Sequence, residues 1–225
     1  MAMEMAGYTW NFNAVFSYRE AIVSGALTTL ELAIIAILLG TVLGLLLCLA
    51  RASKNKLLSL AARAFIEIFR DLPLLVILIW LFYALPSVFD LGLTAFDTAA
   101  IGLALNLGAF TSDIFRAGIS AVPRGQREAS LALGLSEIQT LREIVLPQAL
   151  HVILPPLTGR YIETIKLTSL ASVIAVNELL HAGGNIISLT YRPLEVYTAV
   201  AIVYFIMIAP LVYLLSRMEG KPWLQ

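Results

Sequence analysis

Long apolar stretches alternate with short polar ones along this chain. A helix needs about 20 residues to cross a hydrocarbon core of about 30 Å. Five stretches are long enough, from about Ala21 to Ala50, Leu57 to Val88, Thr98 to Val122, Gln148 to Leu180 and Glu195 to Ser216. The second stretch is interrupted near Arg70, Asp71 and Pro73, so a break is expected there. The pattern predicts an all-α membrane protein with five transmembrane helices.

Composition supports a chain that is embedded in lipid. Hydrophobic residues make up 60% and charged residues only 13%, against about 25% charged in a typical soluble domain. The mean hydropathy is +0.88. Fifteen basic and fifteen acidic residues cancel to a formal charge of zero, which gives no support for a nucleic-acid partner. Membrane lipid is therefore the expected surrounding partner.

The distribution of basic residues predicts the orientation in the membrane. The loops after the first and third spans carry seven of the fifteen, namely Arg51, Lys54, Lys56, Arg63, Arg124, Arg127 and Arg142, whereas the opposite side holds only Arg19 and Arg192. Short loops rich in Lys and Arg face the cytoplasm. The N-terminus is then outside, the C-terminus inside, and the protein is multi-pass. The residues before Ala21 lack the basic-then-apolar order of a signal peptide, so the first span is expected to remain.

Two small-residue features of the first span predict helix packing. Gly40 and Gly44 lie four residues apart and form a small-xxx-small patch, which favours contact with another helix. Cys48 is the only cysteine. It therefore forms no internal disulfide and is expected to pack among apolar neighbours.

The segment REASLALGLSEIQTLREIVLP, from Arg127 to Pro147, is unusually polar for this chain. A short helix over Gln126 to Leu133, a left-handed Gly134, and a Ser136/Gln139 capping box before a second helix are predicted. Its balanced charge argues against a DNA-reading helix-turn-helix. The residues alone leave two hypotheses open, a hairpin on the lipid surface and a docking element for a soluble partner.

Spacing within this segment resembles the EAA loop of ABC importer permeases. Glu128, Ala129 and Ser130 precede Gly134, and Ile-Val-Leu-Pro ends at Pro147; Ser130 is the one departure, from Ala. In that family the loop docks on the ATPase subunit. The resemblance implies a coupling loop over about residues 123–147. Its expected ATPase-coupling residues are Arg127, Glu128, Ala129, Ser130, Gly134 and Leu135.

Three further segments resemble permeases for polar amino acids of the histidine, glutamine, glutamate and arginine type. They are IEIFRDLPLLV, SDIFRAGISAVPRGQREA and IKLTSLASVIAVNELLHAG. The sequence departs from that pattern at Asp71 and Leu72, in place of Gly-Thr, and at Leu167, in place of Asp. The resemblance implies a type I ABC importer permease fold in one domain over residues 1–225, with a core at about 20–217. It also implies a bacterial cytoplasmic (inner) membrane and a polar or charged L-amino acid as substrate.

The resemblance also implies partners. They are an ABC ATPase subunit, a second permease subunit that is identical or paralogous, and an extracytoplasmic substrate-binding protein. No GxxxxGK[ST] pattern occurs in the chain, so it is expected to be no enzyme and to bind no cofactor, with ATP and Mg on the ATPase. An ion-coupled amino-acid carrier or channel without an ATPase is the alternative, which leaves the EAA spacing unused.

Ionisable residues in the fourth span indicate a substrate pathway. Arg160, Glu163 and Lys166 recur every three residues, and Glu163 lies about 24 Å along the helix from Pro147. Its carboxylate can pair with the ammonium group of an amino acid, although an ion ladder that only neutralises itself is an equal alternative. The candidate pathway residues are Asn106, Glu163, Lys166, Thr168 and Ser169, for which helix packing is the alternative role.

Overall fold

A computed structural model describes residues 8–89 and 92–219 of the chain. The predicted domain over 1–225 therefore includes residues 1–7, 90–91 and 220–225, which lie outside the described part. The helices are α1 Asn13–Ser17, α2 Arg19–Arg51, α3 Lys56–Asp71, α4 Leu74–Phe89, α5 Ala95–Ala121, α6 Arg124–Ala132, α7 Glu137–Gln139, α8 Leu146–Leu167, α9 Leu179–Thr190 and α10 Pro193–Glu219. A π-helical segment covers Thr140–Val145 and a 3₁₀ segment covers Thr168–Ile174. The residues described contain no strand.

Helices α2 and α5 pack closely along the middle of the bundle. A Cβ atom on Gly44 would lie 1.9 Å from Thr111 Oγ1 and 2.9 Å from the carbonyl oxygen of Gly108. One on Gly40 would lie 2.8 Å from the Cβ of Leu107. The predicted small-residue helix contact is therefore confirmed, because only glycine permits this separation. Cys48, one turn further on, is buried as predicted.

The predicted break in the second span is confirmed. Helix α3 ends at Asp71 and α4 begins at Leu74, and the two helix axes differ in direction by 105°. Leu72 has extended backbone angles, φ −78° and ψ 137°, because the ring of Pro73 disfavours a helical conformation in the residue before it. The second span is therefore two helices of 16 residues each.

The fourth span begins differently from its predicted start after Pro147. The helical path runs from α7 through the π-helical segment into α8 without interruption. Pro147 has no N–H to donate, and its ring would clash with a carbonyl four residues earlier. The wider π turn directly before it accommodates the ring within a continuous helical path.

The far end of the fourth span corrects a sequence prediction. The predicted span continued to Leu180, but α8 ends at Leu167 and the 3₁₀ segment after it ends at Ile174, followed by Ala175 with a left-handed φ of 60°. A new helix, α9, begins at Leu179 and is turned by 47°. The buried carboxylate of Glu178 caps α9 by accepting the N–H groups of Leu180 at 2.9 Å and His181 at 2.7 Å. No glycine or proline marks this break, which is why the apolar pattern did not reveal it.

Three helices of the described part are long and apolar enough to cross a membrane, namely α2, α5 and α10. The two bent pairs raise the number to as many as five if each pair forms one span.

The segment before α1 lies against α10, where the Tyr8 hydroxyl donates to Glu195 and the Asn11 N–H donates to the same carboxylate at 2.9 Å. The hydrogen bond to Glu195 raises the pKa of Tyr8 above its ordinary value. The chain is an integral membrane protein whose N-terminal segment is tied to its last helix.

Candidate functional site

The polar segment after α5 forms the helix-glycine-helix hairpin that its residues predict. Gly134 has a φ of +85°, a conformation that favours glycine. Its N–H donates to the carbonyl of Leu131 at 3.0 Å, and the N–H of Leu135 donates to the carbonyl of Ser130 at 3.1 Å. These two bonds form a Schellman motif, which satisfies carbonyls at the end of α6. Gly134 and Leu135 therefore set the direction in which the second arm leaves.

Side-chain contacts hold the two arms of the hairpin together. The N–H of Gln139 donates to the hydroxyl of Ser136 at 3.3 Å, and the N–H of Ser136 donates to the side-chain oxygen of Gln139 at 2.9 Å. The predicted capping box is therefore present. Arg127 on the first arm forms an ion pair with Glu137 on the second. Both partners are exposed, so this pair orients the arms more than it stabilises the fold.

Ser130, where the sequence departs from the EAA pattern, lies inside the hairpin. Its side chain is buried, and its Oγ lies 3.0 Å from Oγ1 of Thr140, which is also buried. An alanine at this position could not make that bond. Ser130 thus joins α6 to the π-helical segment. Of the two small residues at positions 129 and 130, Ala129 is the one that is exposed.

The outer surface of the hairpin presents both charged and apolar side chains. Glu128 and Ala129 are exposed on α6. Leu133 and Ile138 are 82% and 78% exposed on the same hairpin. Exposed apolar side chains beside a charged one suit either of the two hypotheses that the residues left open, a soluble partner or the lipid surface. We call Glu128, Ala129, Leu133 and Ile138 the hairpin surface.

The second candidate region is a charged network between α5 and α8. The guanidinium of Arg160 donates from Nη1 to Glu163 Oε2 and from Nη2 to Asn106 Oδ1, both at 2.7 Å. Asn106 in turn donates through Nδ2 to the carbonyl of Phe69 at 3.0 Å. Asn106 therefore links α8 to the last turn of α3, directly before the break in the second span. Its buried amide therefore makes an inter-helix bond, and its predicted place in the substrate pathway stays a prediction.

Arg160 occupies the centre of this network. Its side chain is only 10% exposed, and its guanidinium carbon lies 3.6 Å from the centre of the Phe110 ring, a distance at which a cation and a ring attract each other. Arg160 Nε is buried without a hydrogen-bond partner among the described residues. Glu163, by contrast, is 55% exposed. The carboxylate of Glu163 is therefore exposed, and the buried guanidinium of Arg160 holds it in place through their ion pair.

The remaining predicted pathway residues separate into two groups. Lys166 and Ser169 line an open cavity of about 820 Å³ against α10, where Tyr204 and Phe205 form the opposite wall. Thr168 is fully buried, and its hydroxyl donates to the carbonyl of Ile165 at 2.7 Å within its own helix. Lys166 and Ser169 are therefore accessible from this cavity, whereas Thr168 packs.

The ion ladder of Arg160, Glu163 and Lys166, the alternative to the pathway role, forms only in part. Arg160 pairs with Glu163, but Lys166 is in no ion pair with any described carboxylate. A helical spacing of three places side chains on one side without ensuring that their charged ends meet. Spacing alone does not single out Arg160, because its second partner, Asn106, lies 54 residues away in the sequence.

Asp113 is a further group that sequence reasoning left without a role. Its carboxylate accepts from Arg51 Nη1 and Arg70 Nη1, each at 2.9 Å, and lies 3.6 Å from Arg116 Nε. One carboxylate thereby joins the ends of α2, α3 and α5. The sequence offered an acid in an apolar helix as a signal, but the partners 62 and 43 residues away were not visible in it.

Residues 36–219 match the family model of the binding-protein-dependent transport system inner membrane component. The chain belongs to this family. It is 37% identical over 213 residues to the glutamine transport system permease protein GlnP of Escherichia coli K12, covering 94% of this chain and 97% of that protein. It is 36% identical over 198 residues to YckA of Bacillus subtilis, a probable amino-acid ABC transporter permease, covering 88% and 87%.

Solved structures agree with this membership. A crystal structure of an amino acid ABC transporter with histidines superposes with a TM-score of 0.88 at 35% identity, covering 94% of this chain and 99% of that chain. An inward-facing MetNI methionine ABC transporter superposes with a TM-score of 0.71 at 21% identity over 89% and 95%, which shows the fold alone. The predicted ABC permease function and fold are confirmed. Permease subunits are not themselves enzymes, and the carrier alternative receives no support from these relatives.

Proposed function

We propose that this chain forms one half of the transmembrane pathway of an ABC importer for polar or charged L-amino acids in the bacterial cytoplasmic membrane. Family membership supports the transport role. The named relatives include a glutamine permease and an amino acid transporter with histidines. Residues 1–225 act in this proposal as a single permease domain.

The proposed topology has five spans, with the N-terminus outside and the C-terminus inside. Each bent helix pair counts as one span. The basic loops that hold Arg51 and Lys54 and the hairpin that holds Arg124 and Arg127 then face the cytoplasm. This orientation puts the hairpin surface on the side where ATP is available.

The proposed assembly contains two permease subunits, two ATPase subunits and an extracytoplasmic binding protein. The chain has no phosphate-binding loop of its own, so ATP and Mg belong to the ATPase in this proposal. The second permease, identical or paralogous, covers the open cavity that Lys166 and Ser169 line. That contact encloses the pathway between the two subunits.

The observation that carries the coupling role is the geometry of the hairpin surface. Glu128 offers a carboxylate, Ala129 permits close approach, and Leu133 and Ile138 supply apolar area. Arg127 is paired with Glu137, and Ser130 is bonded to Thr140. A hairpin braced in this way moves as one piece when the ATPase pulls on it. Motion then passes through the continuous helical path from α7 into α8, which carries Arg160 and Glu163.

The substrate role is assigned to Glu163 as the group that accepts the substrate ammonium. Arg160 positions Glu163 by donating to its carboxylate at 2.7 Å, and Asn106 holds Arg160 by accepting its other guanidinium N–H at 2.7 Å. An ion pair in a partly dehydrated site gains more than one in water. Lys166 and Ser169 act further along the same path, on the side of the open cavity.

The experiment that tests the proposal replaces Glu128 by Lys in the assembled transporter. Glu128→Lys is expected to abolish ATP-driven uptake of labelled amino acid into proteoliposomes, because the carboxylate that faces the ATPase changes sign. The charge-matched control is Glu20→Lys, in the first turn of α2 and, in the proposed topology, on the opposite side of the membrane from Glu128. Membrane insertion and the amount of chain should equal wild type in both variants. Full uptake by Glu128→Lys, with its ATPase still bound, would count against the docking role.

A further inference from the structure

A pocket outside the proposed pathway lies between the last turns of α2 and α5 and the middle of α3. It has a volume of about 330 Å³ and is lined in part by Arg51, Arg63, Arg116 and Ser120. Arg63 also borders a neighbouring cavity of about 460 Å³, to which Lys56 contributes. The two cavities are therefore adjacent and share one arginine.

The charges around this pocket are unbalanced. Three guanidinium groups line it, and no acidic side chain does. Asp113 contacts Arg51 and Arg116, but it also binds Arg70, so its single negative charge is shared among three arginines. Arg63 forms no ion pair or hydrogen bond with any residue that the structure describes. Converging like charges are unfavourable unless an anion joins them.

Planar guanidinium groups match the oxygens of a phosphate, which they bind through paired N–H donors. Arg51 uses Nη1 for Asp113, and Arg116 only approaches it through Nε at 3.6 Å. Further donors of both side chains are thus available, together with the hydroxyl of Ser120. The pocket can hold one phosphate group between three arginines.

An apolar surface continues from the pocket along α2. Leu45 lies seven residues, or about two helical turns, before Ala52 of the pocket lining, and therefore on the same side of the helix. Leu45 is 47% exposed, and Leu49 beside it is also exposed. A basic pocket next to exposed leucines can bind a charged headgroup while the acyl chain of the same molecule lies against Leu45 and Leu49.

We propose that this pocket binds the headgroup phosphate of an anionic phospholipid. Basic pockets between transmembrane helices on the cytoplasmic side recognise such headgroups, and this pocket lies beside the loop whose basic residues predict that side. The bound lipid joins α3 to the ends of α2 and α5 through its phosphate. This role is separate from amino-acid recognition and from the hairpin surface, and it does not rest on either.

The test measures lipid binding to the purified full-length chain by native mass spectrometry. Phosphatidylglycerol and phosphatidylcholine with the same acyl chains are the probes, and inorganic phosphate is added as a competitor. The variant is Arg63→Gln/Arg116→Gln, and its matched control is Lys54→Gln/Arg142→Gln, which removes two positive charges outside the pocket. Arg63→Gln alone serves as a second variant, because Arg63 has no partner within the described part whose loss could disturb the fold.

Wild type and the control are expected to bind phosphatidylglycerol about tenfold more tightly than phosphatidylcholine, and the double variant is expected to lose this preference. Arg63→Gln alone should weaken binding about fivefold. Equal binding of phosphatidylglycerol by the double variant and the control would overturn the proposal. Displacement of the lipid by inorganic phosphate at equal concentration would also overturn it, since the pocket would then be a site for free phosphate.

Discussion

Replacing Gly44 by Ala tests the closest helix contact in the bundle. The added Cβ would lie 1.9 Å from Thr111 Oγ1, 2.9 Å from Thr111 Cβ and 2.9 Å from the carbonyl oxygen of Gly108. Attractive contact requires about 3.5 Å or more. The Thr111 hydroxyl could rotate away, but it would then lose its bond to the carbonyl of Leu107 at 2.9 Å. The backbone oxygen of Gly108 cannot rotate away, so α2 and α5 have to separate.

The size of the effect follows from this geometry. Overpacking a close contact costs about 1–3 kcal/mol, which corresponds to a fall in melting temperature of roughly 5 °C for a chain of this length. Thermal unfolding of the purified protein in detergent, followed by tryptophan fluorescence, measures it. Uptake should fall as well if the separation of α2 and α5 disturbs the pathway.

Two further variants test whether the close contact is the cause. Gly184→Ala is the matched control, because a Cβ there meets nothing within 4 Å, and it should melt at the wild-type temperature or slightly above. Adding Thr111→Ala to Gly44→Ala removes the atom 1.9 Å away and should recover part of the loss. If Gly44→Ala melts within about 1 °C of Gly184→Ala, then α2 and α5 are not in the close contact described.

Three other predictions concern the hairpin and the charged network. Glu163→Gln should raise the KM for uptake about fivefold, since it loses a charged partner of the substrate, whereas Glu163→Asp should recover part of it; unchanged kinetics would assign Glu163 to packing. Asn106→Ala should lower stability by about 2–3 kcal/mol in thermal unfolding, because Arg160 and a backbone carbonyl each lose a bond; a wild-type melting curve would contradict this. Gly134→Ala should lower ATP-driven uptake at normal membrane levels, because alanine at φ +85° costs about 1–2 kcal/mol. Gly125→Ala, in open space, should not change uptake, and equal uptake by both variants would refute the role of the turn.

Local signals predicted the parts of the fold that depend on neighbouring residues. The break at Pro73, the left-handed Gly134 and the Ser136 capping box all appear where the sequence placed them. Each depends on the backbone preferences of one residue or on a bond across three residues. The break at Ala175 carries no such local signal. It is held by Glu178 and by Thr29, whose hydroxyl accepts the N–H of Leu179 at 3.1 Å across 150 residues.

The candidate site divides in the same way. The hairpin could be predicted because its spacing is local, whereas the role of Arg160 could not. Arg160 depends on Asn106 and Phe110 from another helix. The alternative ion ladder would have paired Lys166, and no such pair occurs among the described carboxylates. Asn106 does bond to a neighbouring helix, while its contact with substrate stays a prediction.

The sequence by itself determined that the chain is helical, lies in a membrane, and carries a polar hairpin of defined turn geometry, because apolar length and residue-level backbone preferences act over a few residues. Only the tertiary structure decided which charges meet. Asp113 joins three helix ends, Arg160 lies between Asn106 and Glu163, and Arg63 remains without a partner in the described part of the chain. The physical reason is that the energy of a charge depends on distance and burial. Both are set by how helices far apart in the sequence pack, which their individual patterns do not contain.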